Sequence, residues 1–153
     1  MKVTIEIDEN LSEECVVIKC KELNENVIAL QKSLMEQANS DMTILLHKNE
    51  KEYYMPLDKI LFFETENKSI RAHTKDEIYE TSYKLYELEE LLPRYFMRIS
   101  KSGIVNLKHI YSITKNITSA SIVEFEGSHK SVYVSRNYYK ALVEKLAEKR
   151  RKI

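Results

Sequence analysis

Arg98, Ser100, Lys101, Ser102 and Asn106 thread two cations, two hydroxyls and an amide between the apolar residues Phe96, Ile99, Ile104, Val105 and Leu107. The apolar members read as core anchors, so the polar ones are left facing something polar. Guanidinium, ammonium, hydroxyl and amide donors in one short run suit an anion, and phosphate accepts from all of them. Two further segments carry the same chemistry: Thr65 to Arg71, with Asn67, Lys68, Ser69 and Arg71, and the triplet Ser135-Arg136-Asn137. In each, Lys or Arg supplies charge, Ser and Asn supply directional donors, and Arg can fork onto a guanine edge. All three segments border expected strands, and loops projecting from one edge of a rigid sheet can enter successive grooves of a duplex.

Catalytic constellations are not legible. His47, His73, His109 and His129 lack a His-Glu-x-x-His or Cys-x-x-Cys setting, and two glycines, Gly103 and Gly127, cannot build a phosphate-cradling loop. Glu64 closes the apolar run Ile60-Leu61-Phe62-Phe63 and is expected to be partly buried, with a structural hydrogen bond and no partner base. The expectation is therefore a protein that is not an enzyme, with no metal, no cofactor and no small-molecule substrate. Cys15 and Cys20 would lie roughly 16 Å apart on opposite faces of an extended strand, and read as two small buried hydrophobes in a reducing compartment.

The 153 residues balance at 24 basic and 24 acidic side chains, but the charge is unevenly placed. From Arg94 onward thirteen Lys and Arg face four Glu, a net +9, which leaves −9 for Met1 to Pro93. A basic C-terminal part points to a polyanion, with mutual attraction of the two halves as the plainer alternative. No apolar run approaches a membrane span, and the start alternates apolar with polar residues instead of forming a signal-peptide core. Cytoplasmic placement is the expectation.

The elements that must position these segments follow from periodicity. Lys2 to Asp8 alternates Val3, Ile5 and Ile7 with polar residues, Cys15 to Cys20 is a second short strand, and Leu23 to Gln37 carries Val27, Leu30 and Leu34 at helical spacing behind an Asn24 cap. Residues 1–41 thus read as a β-β-α extension for dimerisation or partner docking, and residues 42–153 as the main domain. There the spacing predicts strands at Thr43 to Lys48, Tyr53 to Met55, Ile60 to Thr65, Ser69 to Thr74 and Ile78 to Thr81. A helix from Tyr83 to Leu92 follows, capped by Ser82 and stopped by Pro93, with leucines at 85, 88, 91 and 92. Strands at Ile110 to Thr114, Ser121 to Phe125 and Ser131 to Val134 precede a last helix from Asn137 to about Lys149. That helix runs into the basic sequence Lys149-Arg150-Arg151-Lys152. The class is α+β, mainly β.

Four blocks in this order carry a family resemblance: Ile60 to Glu64; Leu85 to Leu92; Phe96 to Leu107 with Ile110; and Val134-Ser135-Arg136-Asn137-Tyr138. Over about Met42 to Leu146 the chain resembles the LytTR DNA-binding domain of bacterial transcriptional regulators. The resemblance implies antiparallel β-sheets with short flanking helices that insert loops into neighbouring grooves of double-stranded DNA, usually as two copies on paired repeats. Carried over by position, it implies DNA contact by Asn67, Lys68, Ser69 or Arg71, by Lys101, and by Arg136 with Asn137 beside it. Ser102 would lie beside the phosphates with Lys108, and Arg98 and Asn106 match framework polar positions, Arg98 also anchoring phosphate. Ser100 stands where the family usually has histidine and Gly103 where it has an aromatic residue, which changes the sequence read. Too few residues precede the domain for a receiver unit, so the chain resembles the compact stand-alone type, a homodimer, and similar small regulators often accompany a membrane protein as partner. The rival reading is a non-catalytic interaction module whose acidic N-terminal half docks a partner.

Overall fold

A computed structural model describes residues 1–12, 14–39 and 42–149. The chain divides into two compact units, Met1–Ala38 and Asn39–Ile153. In the first, helix α1 spans Glu25–Asn39, and Asn24 Oδ1 accepts from the Val27 N–H at 3.1 Å, as the sequence requires of an Asx cap. The two expected strands before it do not form among the described residues. Val3, Ile5 and Ile7 are 86–90% exposed, and Asp8 to Leu11 makes a turn, Leu11 N–H donating to the Asp8 carbonyl, whose flanks do not pair. The physical reason is that two isolated strands bury too little on either face to hold a ribbon together. Cys15 and Cys20 are accordingly free and exposed, not buried.

The second unit is built on β1 (Thr43–Lys48), β2 (Lys51–Pro56), β3 (Phe62–Glu66), β4 (Ser69–His73), β5 (Ile78–Thr81), α2 (Leu85–Leu91), β6 (Phe96–Ser100) and β7 (Gly103–Asn106). After these come β8 (Ile110–Thr114), β9 (Ser121–Phe125), β10 (Ser131–Val134) and α3 (Arg136–Lys149). Seven strands form one antiparallel sheet in the order β2-β1-β5-β4-β3-β7-β6, and three form a second, β10-β9-β8. Five strands, β1, β5, β8, β9 and β10, occupy the residues expected for them. The strand expected from Ile60 starts two residues later because Leu57–Lys59 first makes a 3-10 turn. The cap of α2 is Lys84 and not Ser82: its N–H donates to Glu87 Oε1 at 3.1 Å. Leu92 then turns extended ahead of Pro93. The basic run Arg150-Arg151-Lys152 lies outside the described residues.

Adjacent apolar pairs explain how one sheet serves two cores. Phe63 and Ile104 point to one side, with Ile44, Leu46, Ala72, Phe96, Leu85 and Leu88. Phe62 and Val105 point to the other, with Ile99, Val123, Phe125, Val134 and Leu142 of the second sheet and α3. A strand covered on both faces reads as a continuous apolar run, which is what Ile60 to Phe63 showed. Two hairpins, β1–β2 and β3–β4, close through two residues in the left-handed region, Asn49 and Glu50, then Asn67 and Lys68. Asn suits the first position of such a turn, whereas glycine is the ordinary choice for the second.

Candidate nucleic-acid interface

β3 runs antiparallel to both β4 and β7, and β7 to β6. This topology places the β3–β4 turn, Asn67-Lys68, and the β6–β7 turn, Lys101-Ser102, side by side at one end of the sheet. The Thr65 N–H donates to the Ser102 carbonyl at 2.8 Å, extending the ladder to the tips. The Ser135 N–H donates to the Ile99 carbonyl at 2.9 Å, so the β10–α3 junction is fastened to the same hairpin. The three polar segments read from the sequence therefore converge.

Within them the side chains divide sharply. Arg98 is committed to the protein: Nε donates to the Ser100 carbonyl at 2.6 Å, Nη2 to the Lys101 carbonyl at 2.6 Å, and Nη1 to Glu89 at 2.9 Å. A β-bulge between Arg98 and Ser100 lets the turn fold back over that guanidinium. Ser100 Oγ accepts from the Ser102 N–H at 3.1 Å. A Cβ on Gly103 would come within 3.2 Å of that hydroxyl. Ser69 Oγ donates to the Glu66 carbonyl at 3.0 Å, closing its own turn.

Four expected contacts take other roles. Asn106 is fully buried: its amide donates to the Ile60 carbonyl at 2.9 Å and its Oδ1 accepts from the Lys108 N–H at 3.0 Å. It fixes the 3-10 turn after β7 and has no surface to offer DNA. Lys108 lies past the far end of β7 from the tips, with Nζ 3.2 Å from Asp58 and 4.0 Å from the centre of the Tyr95 ring. The Arg98 guanidinium is spent on the turn, which leaves it no phosphate-anchoring fork. Arg71 sits down β4 from the tip, 3.3 Å from Glu66.

What remains at the converged end is Lys68, Lys101 and Arg136, all exposed and, among the described residues, without a side-chain hydrogen bond or ion pair. Asn67 and Asn137 flank them, exposed, as is Ser102. Arg136 and Asn137 open α3 and line a shallow open depression with Ser135 and Ala120. Ala120 belongs to the β8–β9 loop, which sequence reasoning passed over. Its signal was a polar run, Lys115-Asn116 and Thr118-Ser119, between two strands.

Beneath the tips the electrostatics are set by carboxylates. Burial pushes Glu64 above the usual carboxylate range, with the neighbouring Glu66 adding to it. His73 stacks on Phe62 at 4.2 Å with both ring nitrogens buried and unpartnered. Burial pulls its pKa down to about 4, and Lys130 and Arg71 add to the shift. Among the described residues no group of three or more His, Cys, Asp and Glu is placed to hold a metal ion. No helix of the described residues is long and apolar enough to cross a membrane.

The model of the LytTr DNA-binding domain family matches residues 50–147. The chain is similar to the LytTr DNA-binding domain of a Bacillus cereus protein, at 25% identity and a TM-score of 0.63, over 69% of this chain and 97% of that one. It is also similar to proteins of Staphylococcus aureus named uncharacterized HTH-type transcriptional regulators. The one from strain NCTC 8325 / PS 47 is 28% identical and the one from strain MRSA252 26% identical, each over 147 residues, 96% of this chain and 99% of the relative. Those matches are long enough to take in most of the front unit. Among the described residues strands separate α1 from α2 and α2 from α3, so no two helices adjoin there as a helix-turn-helix would need.

Proposed function

We propose, from the premise that this chain belongs to the LytTr DNA-binding domain family, that it is a transcriptional regulator that reads double-stranded DNA with the converged loops. The observation carrying this is the division of cations. Arg71, Arg98 and Lys108 are paired inside the protein, whereas Lys68, Lys101 and Arg136 stand free together on three loops tied to one another. Unpaired cations on a rigid platform lose little by meeting phosphate, and a free guanidinium can fork onto guanine O6 and N7. Ser102 and the exposed asparagines add directional donors. A two-stranded ribbon fits a major groove, and the α3 junction would reach the adjoining one.

Two copies on paired repeats would double the contacts. The front unit, with apolar residues exposed on its extended segments, is the part we assign to self-association or to docking a partner, a membrane protein among them. Work on DNA fits a cytoplasmic protein.

Salt dependence tests the reading. Three phosphate contacts per copy give a slope of about −2.7 in log affinity against log salt, roughly a 40-fold loss between 50 and 200 mM, and about twice that in logarithm for a pair. A flat profile on the DNA upstream of the chain's own gene would favour the interaction-module reading and its acidic front half.

A further inference from the structure

The β8–β9 loop, Lys115 to Ala120, adjoins Arg136 at its C-terminal end. Ala120 shares the depression with Ser135, Arg136 and Asn137, and Lys115 Nζ lies 5.4 Å from the centre of the Tyr139 ring in the first turns of α3. The loop is held by its own bonds. Asn116 Oδ1 accepts from both the N–H and the Oγ1 of Thr118, each at 3.2 Å, and the Asn116 N–H donates to Ser121 Oγ, itself buried, at 3.1 Å. Between Asn116 and Thr118 this arrangement presents Ile117, 81% exposed, more than any other large apolar side chain among the described residues of the main unit. Single exposed apolar residues are ordinary on protein surfaces. This one differs in being fixed by a closed turn, in a loop whose last residue, Ala120, lines one depression with the exposed Arg136.

Resting on the DNA-binding reading above, we infer that Ile117 is a further specificity-determining residue, making an apolar contact with a base of the bound site. DNA offers such a contact in two forms: the C5-methyl of thymine on the major-groove edge, and the face of a base step opened by an inserted wedge. Polar loops alone would read donors and acceptors. Ile117 adds the one kind of information they lack.

The test uses the full chain and a duplex enriched by the wild-type protein from a random library, with a scrambled duplex beside it. Ile117→Ala is expected to bind the enriched duplex about tenfold more weakly, and the scrambled duplex as the wild type does, with an unchanged melting temperature. Replacing single thymines by uracil then separates the forms. One position at which the wild type loses about fourfold and Ile117→Ala loses nothing identifies the methyl. No such position, together with a DNA bend induced by the wild type and absent with Ile117→Ala, identifies the wedge. Equal binding of Ile117→Ala and wild type to the enriched duplex, while Lys101→Ala fails on it, would overturn the inference and leave the DNA reading standing. No preference of the wild type for the enriched duplex would remove both.

Discussion

The Thr65 N–H donates to the Ser102 carbonyl at 2.8 Å, and this one bond joins the tips of two hairpins whose turns lie more than thirty residues apart in the chain. Lys68 and Lys101 are carried by those turns. Their separation is therefore fixed by the sheet and not by flexible loops, which is the condition for two cations to be read against a fixed spacing of phosphates.

Arg98 and Lys101 should separate stability from binding. Arg98→Ala removes three hydrogen bonds, two of them closing the turn, and is expected to cost about 2 to 3 kcal/mol in urea denaturation. Arg98→Lys should recover less than half, because an ammonium cannot fork onto two carbonyls and a carboxylate together. Lys101→Ala should stay within ~0.5 kcal/mol of the wild type and weaken DNA binding.

Lys68 occupies the left-handed region at a position where glycine carries no strain. Lys68→Gly is expected to stabilise the fold by about 1 kcal/mol while weakening DNA binding. The matching change at the other hairpin, Glu50→Gly, should stabilise equally and leave DNA binding unaltered. Thermal melts should show both variants stabilised, and anisotropy titrations only Lys68→Gly weakened on DNA; weaker stability in Lys68→Gly would refute the strain assignment.

His73 makes stability depend on pH. Its folded pKa of about 4 lies below the unfolded 6.5, so between those values the unfolded chain binds a proton that the folded one does not. Stability should fall as pH drops through this window, by an amount on the order of 3 kcal/mol from this residue. Above pH 6.5 the residue contributes no pH dependence. In His73→Leu the slope between pH 6.5 and 4 should be shallower by that amount; identical slopes would mean the imidazole titrates normally.

Asn106 is expected to be a folding residue. Asn106→Ala leaves the buried Ile60 carbonyl and the half-buried Lys108 N–H without their side-chain partner and should cost about 2 to 4 kcal/mol. Where the variant stays folded, its DNA affinity should match the wild type.

The fold was legible wherever a segment carried its own period or punctuation, as in Thr43 to Lys48, the Asn24 cap and Pro93. The convergence of the site was legible only in part. Residue type marked Lys68, Lys101 and Arg136, but equally marked Arg98, three residues from Lys101, and Asn106. What separates them is the bulge at Ile99, which turns the carbonyls of Ser100 and Lys101 toward the Arg98 guanidinium, and the 3-10 turn that swallows the Asn106 amide. Both are set by pairing across strands, which local spacing does not encode. Val3, Ile5 and Ile7 show the converse: a clear period of two with nothing in the described chain to pair with. The Ser135–Ile99 bond, which brings the third segment to the first two, spans 36 residues and has no local signature.

Base readout by Arg136 tests the DNA-reading role of the converged loops most directly. Affinities of wild type and Arg136→Ala would be measured by anisotropy on the DNA upstream of the chain's own gene and on a scrambled duplex, at two salt concentrations. A loss of about 1 to 3 kcal/mol is expected on the upstream site, a much smaller loss on the scrambled one, and a salt slope that changes by no more than about one. An equal loss on both duplexes would make Arg136 a phosphate contact alone, and unchanged binding on both would contradict the placement of the interface at these loops.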